Sequence, residues 1–174
     1  MKHTYIGSGL IILVLLGCFV FVCGCDGKPY TEIEWKGYGG YTTANQPYIY
    51  GTLIFHEDNT YDFVLYPSGL NTQTGATSGT SIPIHGEWEP ASGNHMTVNL
   101  PDLPSGYNWH FSDPHHADFA FDSYYPRIVM YPSQNREEYL YQDVETYKKY
   151  NKPSTPDSTV TFPVIHEITP EPYH

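Results

Sequence analysis

Apolar and polar residues change places at every step along short stretches of this chain, and that period of two suits a half-buried strand and no helix. In Ile82-Pro83-Ile84-His85-Gly86-Glu87-Trp88-Glu89 the side chains of Ile82, Ile84 and Trp88 share one face with Gly86, and His85, Glu87 and Glu89 share the other. Residues 30–36 repeat the pattern, with Ile33 and Trp35 opposed to Glu32, Glu34 and Lys36. A strand over 48–56 and another over 61–66 flank Glu57-Asp58-Asn59-Thr60, where Asn59 accepts the left-handed backbone that a tight hairpin demands. Leu53 and Phe55 are then expected to face Tyr61 and Phe63. The turn Ala91-Ser92-Gly93-Asn94 leads into His95–Leu100, with Met96, Val98 and Leu100 inward.

Further short strands are expected over 107–111, 117–121 and 127–131, and residues 67–81, rich in Gly, Ser and Thr, are expected to form an exposed loop. Short strands at such spacing predict a mainly β chain forming a single antiparallel barrel or sandwich. Residues 137–150 fit two structures. Leu140, Val144 and Tyr147 have helical spacing, with acids first and lysines last, whereas the Tyr and Val content suits a closing hairpin. A short C-terminal helix and a closing hairpin are therefore alternatives for this segment. From residue 151 prolines punctuate an extended tail, with one edge strand expected over 159–165.

The N-terminus carries an uncharged apolar run from Leu10 to Val22 that stops at Cys23-Gly24-Cys25-Asp26. With Lys2 ahead of it, the run has the layout of a secretory signal. It resembles a lipoprotein signal, with Val22-Cys23-Gly24-Cys25 as the lipobox, and the resemblance implies lipidation at Cys25. Leu15-Leu16-Gly17-Cys18 has a similar form, but cleavage there would leave Phe19-Val20-Phe21-Val22 on the mature chain. The competing reading is an uncleaved anchor, since extension back through Tyr5 brings the run to roughly the 20 residues that cross a bilayer. The expected organisation is a signal and anchor over 1–25, a β-domain over 26–150 and a Pro-rich tail over 151–174. All three cysteines (Cys18, Cys23, Cys25) lie in the signal region, so no disulfide is expected in the exported part.

Eight Lys and Arg against nineteen Asp and Glu give a formal charge of −11. A field of that sign repels nucleic acid and accumulates cations. Tyrosine, half apolar and half wet, is frequent at 17 residues, as suits a β surface. Two blocks carry a family resemblance: Gly51–Phe55 running through Asp58-Asn59-Thr60-Tyr61-Asp62-Phe63, and Gly86-Glu87-Trp88-Glu89 followed by Met96-Thr97-Val98. They resemble the paired hairpins of small lipocalin-like β-barrel surface lipoproteins of prokaryotes, archaeal ones in particular, with Asn59 where the pattern has Gly. The resemblance covers residues 30–131, implies an up-and-down barrel able to hold a small ligand, and brings no catalytic residue.

No phosphate-binding loop, dinucleotide fingerprint, nucleophile elbow, H-E-x-x-H or paired C-x-x-C occurs in the sequence. The face of His85, Glu87 and Glu89 holds the residue types of acid/base chemistry, but in an amphipathic strand it is the solvent side. Trp109-His110-Phe111-Ser112-Asp113-Pro114-His115-His116-Ala117-Asp118 is the densest cluster of donors, and Asp113, His115 and His116 are its candidates for a borderline metal such as zinc. Without a remote ligand no metal or other cofactor is expected. Two aromatic groups, Tyr38, Tyr41, Tyr48, Tyr50 and Trp109, Tyr124, Tyr125, have the chemistry to stack on sugars or fill a barrel mouth, but ordinary strand core and surface is the reading preferred for them.

The sequence thus predicts an exported domain on the extracellular face of the cell membrane, held there by its N-terminal lipid or apolar segment. It is expected to act as a binding or interaction module for a small ligand or glycan, and not as an enzyme or nucleic-acid binder. A structural protein self-associating through strand edges is the first alternative, and a metal-dependent hydrolase built on residues 110–118 the second.

Overall fold

The alternating strands close into a barrel. The computed structural model describes residues 28–41, 46–77, 79–133, 136–151 and 165–167. Eight strands pair antiparallel in the order β1 (Glu34–Tyr41), β2 (Pro47–Phe55), β3 (Thr60–Asn71), β4 (Ile82–Pro90), β5 (His95–Asn99), β7 (His116–Asp122), β8 (Arg127–Ser133) and β9 (Arg136–Tyr141), which returns to β1. The wall is an up-and-down meander with one excursion, between β5 and β7, that contains β6 (Tyr107–Trp109). β6 pairs outside the barrel with β10 (Ile165–Glu167). One helix, α1 (Val144–Tyr150), follows β9.

The β2–β3 hairpin has the expected register, with Leu53 opposite Phe63 and Phe55 opposite Tyr61. Asn59 takes φ 67°, and Asp58 fixes the turn by accepting from the Thr60 amide at 3.0 Å and its hydroxyl at 2.6 Å. Along β4, Ile82, Ile84 and Trp88 are buried while His85, Glu87 and Glu89 are exposed. Alternate positions around the wall, among them Trp35, Leu53, Phe55, Phe63, Trp88, Met96, Phe119, Ile128 and Met130, are almost fully buried in one core. An eight-stranded barrel is just wide enough for its own side chains, and here they fill it. Aromatic residues close both ends. At one end Tyr30 packs on Phe55, Trp88 and Phe121. At the other the excursion brings Trp109 onto Phe63 and Phe111 onto Phe119, with Trp109 Nε1 donating to the Pro101 carbonyl at 2.7 Å.

Three expectations are corrected. The first strand begins at Glu34 and not at Tyr30, because Glu32 adopts φ 56° and turns the chain across the barrel end so that Tyr30 enters the core. Residues 67–71 are strand and not loop. β3 passes a bulge in which pairing jumps from Gly51–Leu65 to Ile49–Leu70, with Gly69 at φ 74° inside it. Third, residues 137–150 are not one element but two: a strand to Tyr141, then α1, whose N-cap Asp143 accepts from the Thr146 amide at 2.7 Å. Of the expected edge strand over 159–165 only Ile165 belongs to β10, and 159–164 lie outside the described residues. Cys25 and the whole apolar run also lie outside them. Among the described residues no helix is long and apolar enough to cross a membrane.

Candidate functional site

The barrel wall is uneven. β1 and β2 are paired from Glu34–Ile54 as far as Tyr41–Pro47, but β1 and β9 meet only at Lys36–Tyr141 and Gly37–Leu140. Among the described residues, β1 past Gly37 pairs with β2 alone, and β9 before Leu140 pairs with β8 alone. The two strands part there, leaving a seam in the wall. α1 lies over its outer side, where Tyr147 stacks on Tyr38 at 4.8 Å and meets Tyr141 edge-on at 5.6 Å. Asn151, the C-cap, donates from Nδ2 to the Tyr141 hydroxyl at 2.9 Å, and Lys148 Nζ donates to Gln46 Oε1 at 3.1 Å.

Glu138 stands in this seam. It falls on the same face of β9 as the core residue Leu140 and is only 7% exposed. Arg136 Nε comes within 2.9 Å of its Oε1, but neither carboxylate oxygen accepts a hydrogen bond. With the Arg136 cation beside it but no well-aligned donor, the buried carboxylate replaces its lost hydration only in part, and a polar group left so costs about 1–3 kcal/mol. Burial pushes the carboxyl up to about 7, against the opposing pull of the Arg136 guanidinium. Tyr50, from β2, is the buried tyrosine of this cavity that belongs to the barrel core. Its phenol is raised well above the ordinary value by burial and next by the charge of Glu138. The ring lies flat on β1 at Gly37, where a Cβ would come within 2.3 Å of Tyr50 Cζ, so only glycine fits beneath it. A cavity of about 330 Å³ opens at the seam, lined by Glu138, Arg136, Glu137 and tyrosines that include Tyr38, Tyr50 and Tyr147.

The candidate metal residues behave differently. Asp113 Oδ1 accepts from the backbone amides of His115 at 2.7 Å and His116 at 3.2 Å, and these bonds hold its carboxyl below the usual range. His116 Nδ1 lies 3.6 Å from Asp113 Oδ2, and all three residues are exposed. Asp113 and His116 border a cavity of about 480 Å³ with Asp118 and Tyr131, but Asp118 is engaged with His95 Nδ1 at 3.0 Å. Among the described residues no group of three or more His, Cys, Asp or Glu converges as metal ligands would.

The acid/base face on β4 is not brought together as a unit. Glu87 and Glu89 point to solvent, while His85 pairs across the ladder with Asp62 at 2.9 Å. Asp62 also meets His56 Nε2 at 3.0 Å, and His56 Nδ1 lies 3.3 Å from Glu32. This string of four ionisable groups ties the turned segment at Glu32 to β2, β3 and β4. The aromatic groups divide in the same way. Tyr38 and Tyr50 meet at the seam, Trp109 closes a barrel end, and Tyr124, with Tyr125 against it, is exposed on the β7–β8 turn. Glu138 carries no motif, and its one sequence signal is an acid at an inward position of a strand.

Compared with family models, curated proteins and solved structures, the chain matches none.

Proposed function

We infer that this chain is an exported, lipid-anchored protein of the outer cell surface, and that its barrel, lipocalin-like in build, is a binding module and not an enzyme. The observation that carries the reading is Glu138: an ionisable side chain is buried at an opening of the wall beside the half-exposed Arg136 and with no aligned hydrogen-bond donor, in a barrel whose interior is filled by its own side chains. Ligand pockets combine an apolar or aromatic lining with a few convergent polar groups, and the seam has that make-up. The signal-like N-terminus ending at Cys25 supports attachment to the membrane.

Mass spectrometry of the protein purified from its native envelope tests both halves. The reading expects a mature chain beginning at a lipidated Cys25, and a small molecule that accompanies the protein under native spray. Cys25→Ser is expected to yield an unlipidated form. A chain that retains Met1 and carries no small molecule would overturn the reading.

A further inference from the structure

We propose that the seam between β1 and β9 is a binding site for an organic ammonium ion, with the Glu138 carboxylate as its counter-charge and the tyrosine rings around the cavity as its apolar lining. The proposal rests on the binding-module reading and gives its ligand a chemical class. Apart from the ion pair that Arg136 Nε makes with Oε1 at 2.9 Å, the Glu138 carboxylate has no aligned hydrogen-bond donor, and Glu138 lines a cavity large enough for a small molecule. Glu137 lies on the same rim, and the chain as a whole carries −11, so the field at the seam draws cations in.

A metal ion fits this chemistry poorly. Calcium takes six to eight oxygen ligands and magnesium a near-ideal octahedron, whereas the cavity offers one buried carboxylate, one rim carboxylate, the Asn151 amide and phenols, with the Arg136 cation among them. An alkylammonium needs less. It asks for one anion and for aromatic surface against its polarised methyl or methylene groups, and Tyr38, Tyr50 and Tyr147 supply the rings. Arg136 holds the place meanwhile. Its side chain is 45% exposed, with Nε 2.9 Å from Glu138 Oε1, so it can swing to solvent as the ligand enters.

The site is also expected to answer to pH. Around Glu138 stand Arg136 and Glu137 on its own strand, Tyr50 from β2, Tyr38 from β1 and Tyr147 from α1, with Tyr139 and Tyr141 at the rim. Burial raises the phenols of Tyr38 and Tyr50, and Glu137 with burial raises that of Tyr139 to about 12, which keeps these three neutral. Ionisation of Glu138 then governs the change near neutrality.

The test is calorimetric titration of the full chain in detergent with choline chloride and with n-butylammonium chloride, against sodium chloride at matched ionic strength. Binding of one or both ammonium probes is expected at pH 8, weakening at least tenfold at pH 5.5. Glu138→Gln should abolish it while preserving the shape of the side chain. Arg136→Gln should strengthen it severalfold, a result that loss of a merely structural ion pair would not produce. Asp118→Asn, on the β7 wall, should leave it unchanged. Equal heats for the ammonium probes and sodium, or binding that survives Glu138→Gln, would overturn the proposal, as would weakening by Arg136→Gln. If the envelope protein nonetheless starts at a lipidated Cys25 and carries a small molecule, the binding-module reading stands and only the ligand class assigned here falls.

Discussion

The ring of Tyr61 lies across the β3–β4 ladder against the backbone of Gly86, so closely that a Cβ at position 86 would sit 2.6 Å from Tyr61 Cε1 and 2.7 Å from its hydroxyl. The ring is not free to yield, because that hydroxyl donates to the Asn99 carbonyl at 2.6 Å. Gly86→Ala is therefore expected to destabilise the barrel by about 1–3 kcal/mol, although alanine is ordinarily the better residue in a strand. Urea denaturation checks this. In a Tyr61→Phe background, where the tether is gone, the cost of Gly86→Ala should shrink, and equal costs in both backgrounds would show that the hydrogen bond does not pin the ring.

Trp88 and Glu87 are neighbours on opposite faces. Trp88 is fully buried, donates from Nε1 to the Thr60 carbonyl at 3.0 Å and lies under Lys28 Nζ at 4.1 Å, whereas Glu87 is exposed. Trp88→Ala should cost ~3–5 kcal/mol, as deletion of a large core side chain does. Glu87→Ala should stay within about 0.5 kcal/mol, as a surface change does. Equilibrium unfolding of the two variants side by side decides the assignment of faces.

The same pair shows what the sequence makes legible. Where one face is buried and the other wet, as in β4 and the β2–β3 hairpin, each residue declares its side and the register follows. The segment at 136–141 declares less. Arg136, Glu138 and Leu140 share the inward face, so two charges precede the only apolar residue on it, and outward Tyr139 and Tyr141 pack under α1. Acids followed by lysines along residues 137–150 suit a helix and the Tyr and Val content a strand, because local pattern does not reveal that the chain turns at Gln142-Asp143. Nor could local pattern show the seam, which comes from the early parting of β1 and β9, strands about a hundred residues apart in sequence. The donor cluster at 110–118 is conspicuous in sequence for the opposite reason: its residues are neighbours along the chain, and the structure uses Asp113 to hold its own turn.

The pairing of His56 with Asp62 predicts a pH window. The hydrogen bond to Asp62 raises the imidazole above 6.5, against burial, and those to His85 and His56 lower Asp62 below 3.8. The histidine's contribution is thus present in full below 6.5 and lost as pH rises through the raised folded value. The aspartate's is present above 3.8 and lost as pH falls through the lowered one. Both are in place near pH 5.5. A double-mutant cycle with His56→Gln and Asp62→Asn should give a coupling of about 0.2–1 kcal/mol there, since both groups are partly exposed, and less at pH 8.5. Added salt should reduce it further. Coupling that grows from pH 5.5 to 8.5 would contradict the pairing.

Glu138 predicts the opposite sense to an ordinary surface acid. Burial raises its carboxyl from 4.5 to about 7, so between those values the folded chain holds a proton that the unfolded chain has released. Its contribution to stability is full below 4.5 and is lost as pH rises through 7. A rise of that size corresponds to roughly 3 kcal/mol between the two ends of the window. Glu138→Gln keeps the shape, carries no charge and does not titrate, so the variant should match the wild type in stability near pH 4.5. It should then gain on it steadily, reaching an advantage of that order by pH 7.5. Arg136→Gln should act in the other direction at pH 7.5, destabilising the chain by removing the cation that pairs with the carboxylate, and should do little at pH 4.5. Urea midpoints of the three proteins at pH 4.5, 6 and 7.5 read all of these quantities together. A Glu138→Gln advantage that stays flat across the series would mean that the carboxylate is solvated in the seam, and would leave that opening without its buried charge.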